Sequence, residues 1–153
     1  MDFYSAFEAL NTADKVAKNL TTIIKNSRGH ERAVLREFKE NLELLFMVRR
    51  HKVPADKVIN KLSVDNYLNA ANSGFNFKAI KRGSVKEKTT GGIPQLKKYI
   101  GWSTERLLEN IYLKIKFLQN YLEMAADPQK INIDRRMEYL IRVMLLFLQH
   151  IKK

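Results

Sequence analysis

Residues 103–125 read STERLLENIYLKIKFLQNYLEMA, and the spacing within this stretch decides the fold. Leu108, Ile111, Ile115, Leu118, Leu122 and Ala125 follow one another at intervals of three and four. That is the repeat of one helix face; a half-buried strand would alternate with a period of two. Ser103 is a residue type whose hydroxyl accepts from first-turn amides. Trp102 before it and Leu107 after it stand at the spacing of a hydrophobic staple, and Glu105 suits the positive end of the helix. Asp127-Pro128 supplies a stop.

The same repeat extends on either side. Phe3, Phe7, Leu10, Ala13, Ala17, Leu20 and Ile24 mark a helix from Asp2 to about Ser27, ended by Arg28-Gly29. A second helix, from about His30 to His51, carries Leu35, Phe38, Leu42, Leu45 and Val48. Leu44, Phe46 and Met47 widen its stripe, as expected of a helix covered from more than one side. Pro54 fits the first residue of a short helix. Ser63, between Leu62 and Tyr67, fits the cap of another that reaches about Asn72. The last helix starts near Asp134 and aligns Met137, Leu140, Met144, Phe147 and Ile151, with Ile141, Val143, Leu145, Leu146 and Leu148 on its other faces. The expected fold is all-α: one domain over residues 1–153, an antiparallel bundle of four long helices with one or two short ones.

Composition agrees. At 153 residues and 45% hydrophobic content the chain suits one domain with a substantial core. It has no cysteine, which excludes disulfides, thiolate metal sites and cysteine nucleophiles. The longest apolar run, 143–148, is far short of the ~20 residues that span a bilayer. Met1-Asp2-Phe3 opens with an acid and no apolar leader follows, so the sequon at Asn19-Leu20-Thr21 reads as chance and the expected location is cytoplasmic.

Residues 74–101 do not follow the helical repeat. They hold Gly74, Gly83, Gly91, Gly92 and Gly101, five of the chain's six glycines, together with Pro94. They also hold Lys78, Lys81, Arg82, Lys86, Lys88, Lys97 and Lys98 against the single acid Glu87, in a protein whose net charge is +12. Irregular connections this long are uncommon in compact domains unless they serve a function or are disordered. Phe75, Phe77 and Ala79 alternate with polar neighbours, Arg82-Gly83-Ser84 suits a turn, and 85–90 suits a returning strand. A small basic β-hairpin is therefore one expectation for this insertion. Phe75, Phe77, Ile80, Ile93, Leu96, Tyr99 and Ile100 argue that it is attached to the helices.

The lysines suit a phosphate backbone, whose counterions they would release, and the aromatics suit unpaired bases. Arg49, Arg50 and Lys52 form a second basic cluster, whose simplest explanation is the negative end of the second helix. The expected nucleic-acid-binding residues are thus the seven cations of the insertion with Arg49, Arg50 and Lys52.

No catalytic, metal or cofactor motif stands out, and no small-molecule substrate is evident. His30, His51 and His150 lie in no metal-binding spacing, and no P-loop or nucleophile elbow occurs. Glu37, Glu40 and Glu43 share a helix side but interleave with Arg36 and Lys39, which suits an exposed, charge-paired face. Helical ribonucleases of the HEPN class carry an Arg and a His on one helix, with a shorter gap than the seven residues between Arg142 and His150. At helical pitch these two side chains diverge by roughly 80°. Arg142 is expected to reach the surface or to pair with Glu138, and His150 suits a helix C-terminus. The leading expectation is a non-enzymatic module that binds RNA or DNA through its phosphates. A protein-interaction adaptor or oligomeric subunit is the first alternative, and a HEPN-like ribonuclease the second.

Overall fold

The structure, a computed structural model, describes residues 11–125 and 132–152, with side chains from Lys18 onward. Six α-helices appear among them: α1 (Asn11–Lys25), α2 (Gly29–His51), α3 (Ala55–Ile59), α4 (Asp65–Asn72), α5 (Thr104–Met124) and α6 (Ile133–Ile151). Sequence periodicity placed α1, α2, α5 and α6, and the signals at Pro54 and Ser63 placed the two short helices between them. The stretch expected to be helical over residues 2–10 and the stop at Asp127-Pro128 lie outside the described residues.

Several helix ends have a local cause. Ser103 caps α5 as expected, its hydroxyl accepting from the Arg106 amide at 3.2 Å. The Asn132 side chain does the same for α6, accepting from the Arg135 amide at 3.0 Å. Gly29 takes a left-handed φ of +53° where α1 gives way to α2, and the Arg32 guanidinium closes the end of α1 on the carbonyls of Ile24 and Lys25.

The cap of α4 departs from expectation. Ser63 does not cap it; its hydroxyl instead donates to Glu37 on α2 at 2.8 Å. The Glu37 carboxylate itself closes the helix, accepting from the amides of Asn66 (2.7 Å) and Tyr67 (3.0 Å). Asn41, one turn along, pairs through its side-chain amide with both backbone groups of Ser63. Glu37 is therefore buried and does not belong to the charged face expected of it, although Glu43 does pair with Lys39 at 3.5 Å.

One continuous core joins the helices. Val34, Leu35, Phe38 and Leu45 of α2 share it with Leu140, Ile141, Met144 and Phe147 of α6, and Phe38 and Phe147 stand ring to ring at 4.9 Å. The pairings of α5 with α6 fix their relative direction: Thr104 meets His150, Lys114 meets Tyr139, and Phe117 meets Arg136. Residue numbers rise on one helix as they fall on the other, so the two run antiparallel. No described helix is long and apolar enough to cross a membrane.

Residues 74–101 form no hairpin. The only pairing of strand type among the described residues is an isolated bridge, Ser84 to Ser103. In place of strands there are three 3-10 turns, at Phe77–Ala79, Glu87–Thr90 and Pro94–Tyr99. Phe77, Ile80, Val85, Leu96 and Tyr99 are all buried in the common core. Two strands alone bury too little to be stable in water. These apolar side chains gain more by packing on α5 and α6 than a free ribbon could gain.

Candidate nucleic-acid interface

Two fastenings hold the 74–101 segment as a ledge along α5 and α6. The first lies where α5 begins and α6 ends. The Thr104 hydroxyl donates its one proton to the Lys81 carbonyl at 2.8 Å and lies 2.8 Å from His150 Nε2. With that proton committed, the bond from His150 must run from Nε2–H to the Thr104 oxygen. Burial, and then the Lys81 charge, push the His150 pKa below its ordinary value, which favours the neutral ring. Beside it, Val85 donates to the Trp102 carbonyl at 2.9 Å and accepts from Gly101 at 2.8 Å. Gly101 makes this contact at a φ of +88°, a conformation that a side chain would strain.

The second fastening is aromatic. Tyr99 is fully buried, edge-on to Trp102 at 4.8 Å, and its hydroxyl meets that of Tyr139 on α6 at 2.9 Å. Burial, with the Tyr139 contact, holds the Tyr99 phenol well above its ordinary pKa, so it stays protonated. Arg106 lies over the Trp102 ring at 3.9 Å and covers the outer side of the joint.

What the ledge turns to solvent is cationic. Lys78, Arg82, Lys86, Lys88, Lys97 and Lys98 are exposed and Lys81 is half-buried. None of the seven makes an ion pair with an acid among the described residues. Lys78, Lys81 and Arg82 share one shallow hollow with Asn76. The segment places all seven expected cations on a single ordered structure.

The second cluster lies apart. Arg49 and Lys52, at the end of α2, line a hollow with Asp134 and Glu138, and those two acids also line the next hollow along, beside Gln95. Arg50 lies over the Phe46 ring at 5.4 Å. Asp134 and Glu138 thus adjoin this cluster, and Arg135 and Arg142 join them in the hollow beside Gln95.

Sequence reasoning missed the continuation of the basic surface onto the helices. Beside Lys98, a cleft of about 800 Å³ runs between α5 and α6, lined by Lys114, Arg135, Arg136, Phe117, Asn110 and Tyr139 among others, with no acid among the described residues. Lys98 Nζ and Lys114 Nζ lie 5.2 and 5.3 Å from the centre of the Tyr139 ring, and the Arg136 guanidinium lies 5.0 Å from that of Phe117. Burial, then Lys98 and Arg136, lower the pKa of Lys114. The signal was present as Lys114-x-x-Phe117 and Arg136-x-x-Tyr139, each on one helix side, but it joins only once the register of α5 against α6 is known. Comparison of the chain with family models, with characterised proteins and with solved structures gives no match.

Proposed function

We propose that the chain is a non-enzymatic helical module that binds RNA or DNA chiefly through the phosphate backbone. In this reading the four long helices act as a rigid antiparallel platform and the ledge is the contact surface. One observation carries it: seven cations stand on one ordered segment, none of them in an ion pair with an acid among the described residues. Like charges crowded in this way repel one another, and a polyanion relieves that repulsion while releasing its own counterions. Order strengthens the case, because a surface already fixed loses little conformational entropy on binding. His150 supports a reading without catalysis, since it is buried and its Nε2 is engaged with Thr104.

Purification without nuclease, followed by the ratio of absorbance at 260 and 280 nm, is a direct test. Titration of labelled single- and double-stranded oligonucleotides at low and physiological salt complements it. Co-purifying nucleic acid and steeply salt-dependent binding are expected. Clean protein that binds neither oligonucleotide at low salt would remove the proposal.

A second reading, as a protein-interaction subunit, has one observation in its favour. On α5, Leu113 (61% exposed), Phe117 and Met124 (82% exposed) leave large apolar surface in water. Light scattering that finds a discrete oligomer free of nucleic acid would favour it.

A further inference from the structure

We propose that the cleft between α5 and α6 holds one unpaired nucleotide, its phosphate among Lys98, Lys114 and Arg136 and its base against Phe117. This inference rests on the nucleic-acid reading and narrows it to a preference for single strands at this place.

The cations of the cleft differ from those of the ledge. Lys98 and Lys114 come from different elements and meet over one aromatic ring, Tyr139. Lys114 is half-buried, and among the described residues no acid lines the cleft to offset it. A half-buried ammonium beside two other cations is held in an unfavourable field, which an incoming phosphodiester anion would relieve. Exposed surface lysines have water to screen them; Lys114 has less.

The apolar half of the cleft selects the kind of anion. Phe117 is 47% exposed; Arg136, of the cationic set, lies over its ring at 5.0 Å, and the Tyr121 ring stands beside it at 6.2 Å between centres. Leu113, one turn earlier on the same helix, extends the apolar surface. A carboxylate-rich peptide would satisfy the cations but offers no planar ring for Phe117. A nucleotide offers both, since every base has a π-face and every link a phosphate. Bases in a duplex are stacked on one another, so Phe117 is within reach of unpaired bases alone.

The test compares wild type, Phe117→Ala and Lys98→Gln in binding a labelled oligothymidylate and a duplex of equal length, with polyglutamate as competitor. Both substituted side chains are exposed, and circular dichroism checks that the variants remain folded. Phe117→Ala is expected to weaken oligothymidylate binding roughly tenfold and leave duplex binding unchanged. Lys98→Gln is expected to weaken both, and to flatten the salt dependence of single-strand binding by about 0.7 in logarithmic slope. Oligothymidylate binding that Phe117→Ala does not alter would overturn the inference and leave the broader reading standing. Failure of wild type to bind either oligonucleotide would remove both. Polyglutamate binding that displaces the oligonucleotide equally from wild type and Phe117→Ala would assign the cleft to an acidic protein instead.

Discussion

Glu37 and His150 show what a single side chain contributes here. Glu37 stands one helical turn from Glu40, which faces water, yet its own carboxylate is buried and accepts three hydrogen bonds from the 63–67 corner. Charge-assisted bonds of this kind are each stronger than neutral ones, and their loss leaves two helix amides without a partner. Glu37→Ala is therefore expected to cost about 3 kcal/mol in urea denaturation; a loss below about 1 kcal/mol would contradict this role. Spacing could not separate Glu37 from Glu40 and Glu43. What separates them is the corner packed on α2, a contact between residues more than twenty positions apart. His150 makes a second prediction at this scale. Its pKa in the folded state lies below the ordinary 6.5, so the unfolded chain takes up the proton first as pH falls. Its contribution to stability is complete above about pH 6.5 and is lost as pH drops from there through the folded value. Urea midpoints measured across this window should fall for wild type, and this part of the fall should vanish in His150→Gln.

Among the elements, α2, α5 and α6 were legible because a stripe at the helical repeat has one physical meaning. Ser103 likewise capped as its position in the sequence implied. The 74–101 segment was only half legible. Its charge and its apolar anchors could be read directly, and its failure to form a hairpin could not. Alternation at Phe75 and Phe77 suits a strand, but Phe77 packs inward beside Tyr67, at 5.8 Å between rings, and the chain turns at once. Whether a short apolar run pairs with a strand or lies on a helix depends on surfaces that other parts of the chain supply. The fastening at Thr104 tests whether the ledge is a fixed element. Thr104→Val keeps the shape and removes the hydroxyl, leaving the Lys81 carbonyl and the His150 Nε2–H without each other's bridge. A loss of roughly 1–3 kcal/mol is expected, along with faster hydrogen exchange at the Val85 amide. Exchange at Val85 unchanged from wild type would mean that the ledge is held elsewhere.

Across the whole molecule, the excess of positive charge was plain in the composition, while its arrangement was not. Arg49 and Lys52 looked like allies of the insertion, yet they face Asp134 and Glu138. Lys114 and Arg136 attracted no notice in sequence, yet they continue the basic surface beyond Lys98. Long-range register decides both outcomes, and periodicity along one helix carries no information about the register of two. The central claim is that the unpaired ledge cations grip phosphates. The most direct measurement is the slope of log affinity against log salt for a single-stranded oligonucleotide, in wild type and in a variant with Lys78, Lys81, Arg82, Lys86 and Lys88 all changed to Gln. The account predicts weaker binding by the variant and a slope shallower by about 0.7 for every phosphate contact removed. An affinity and a slope identical to those of wild type, in a variant that remains folded, would contradict it.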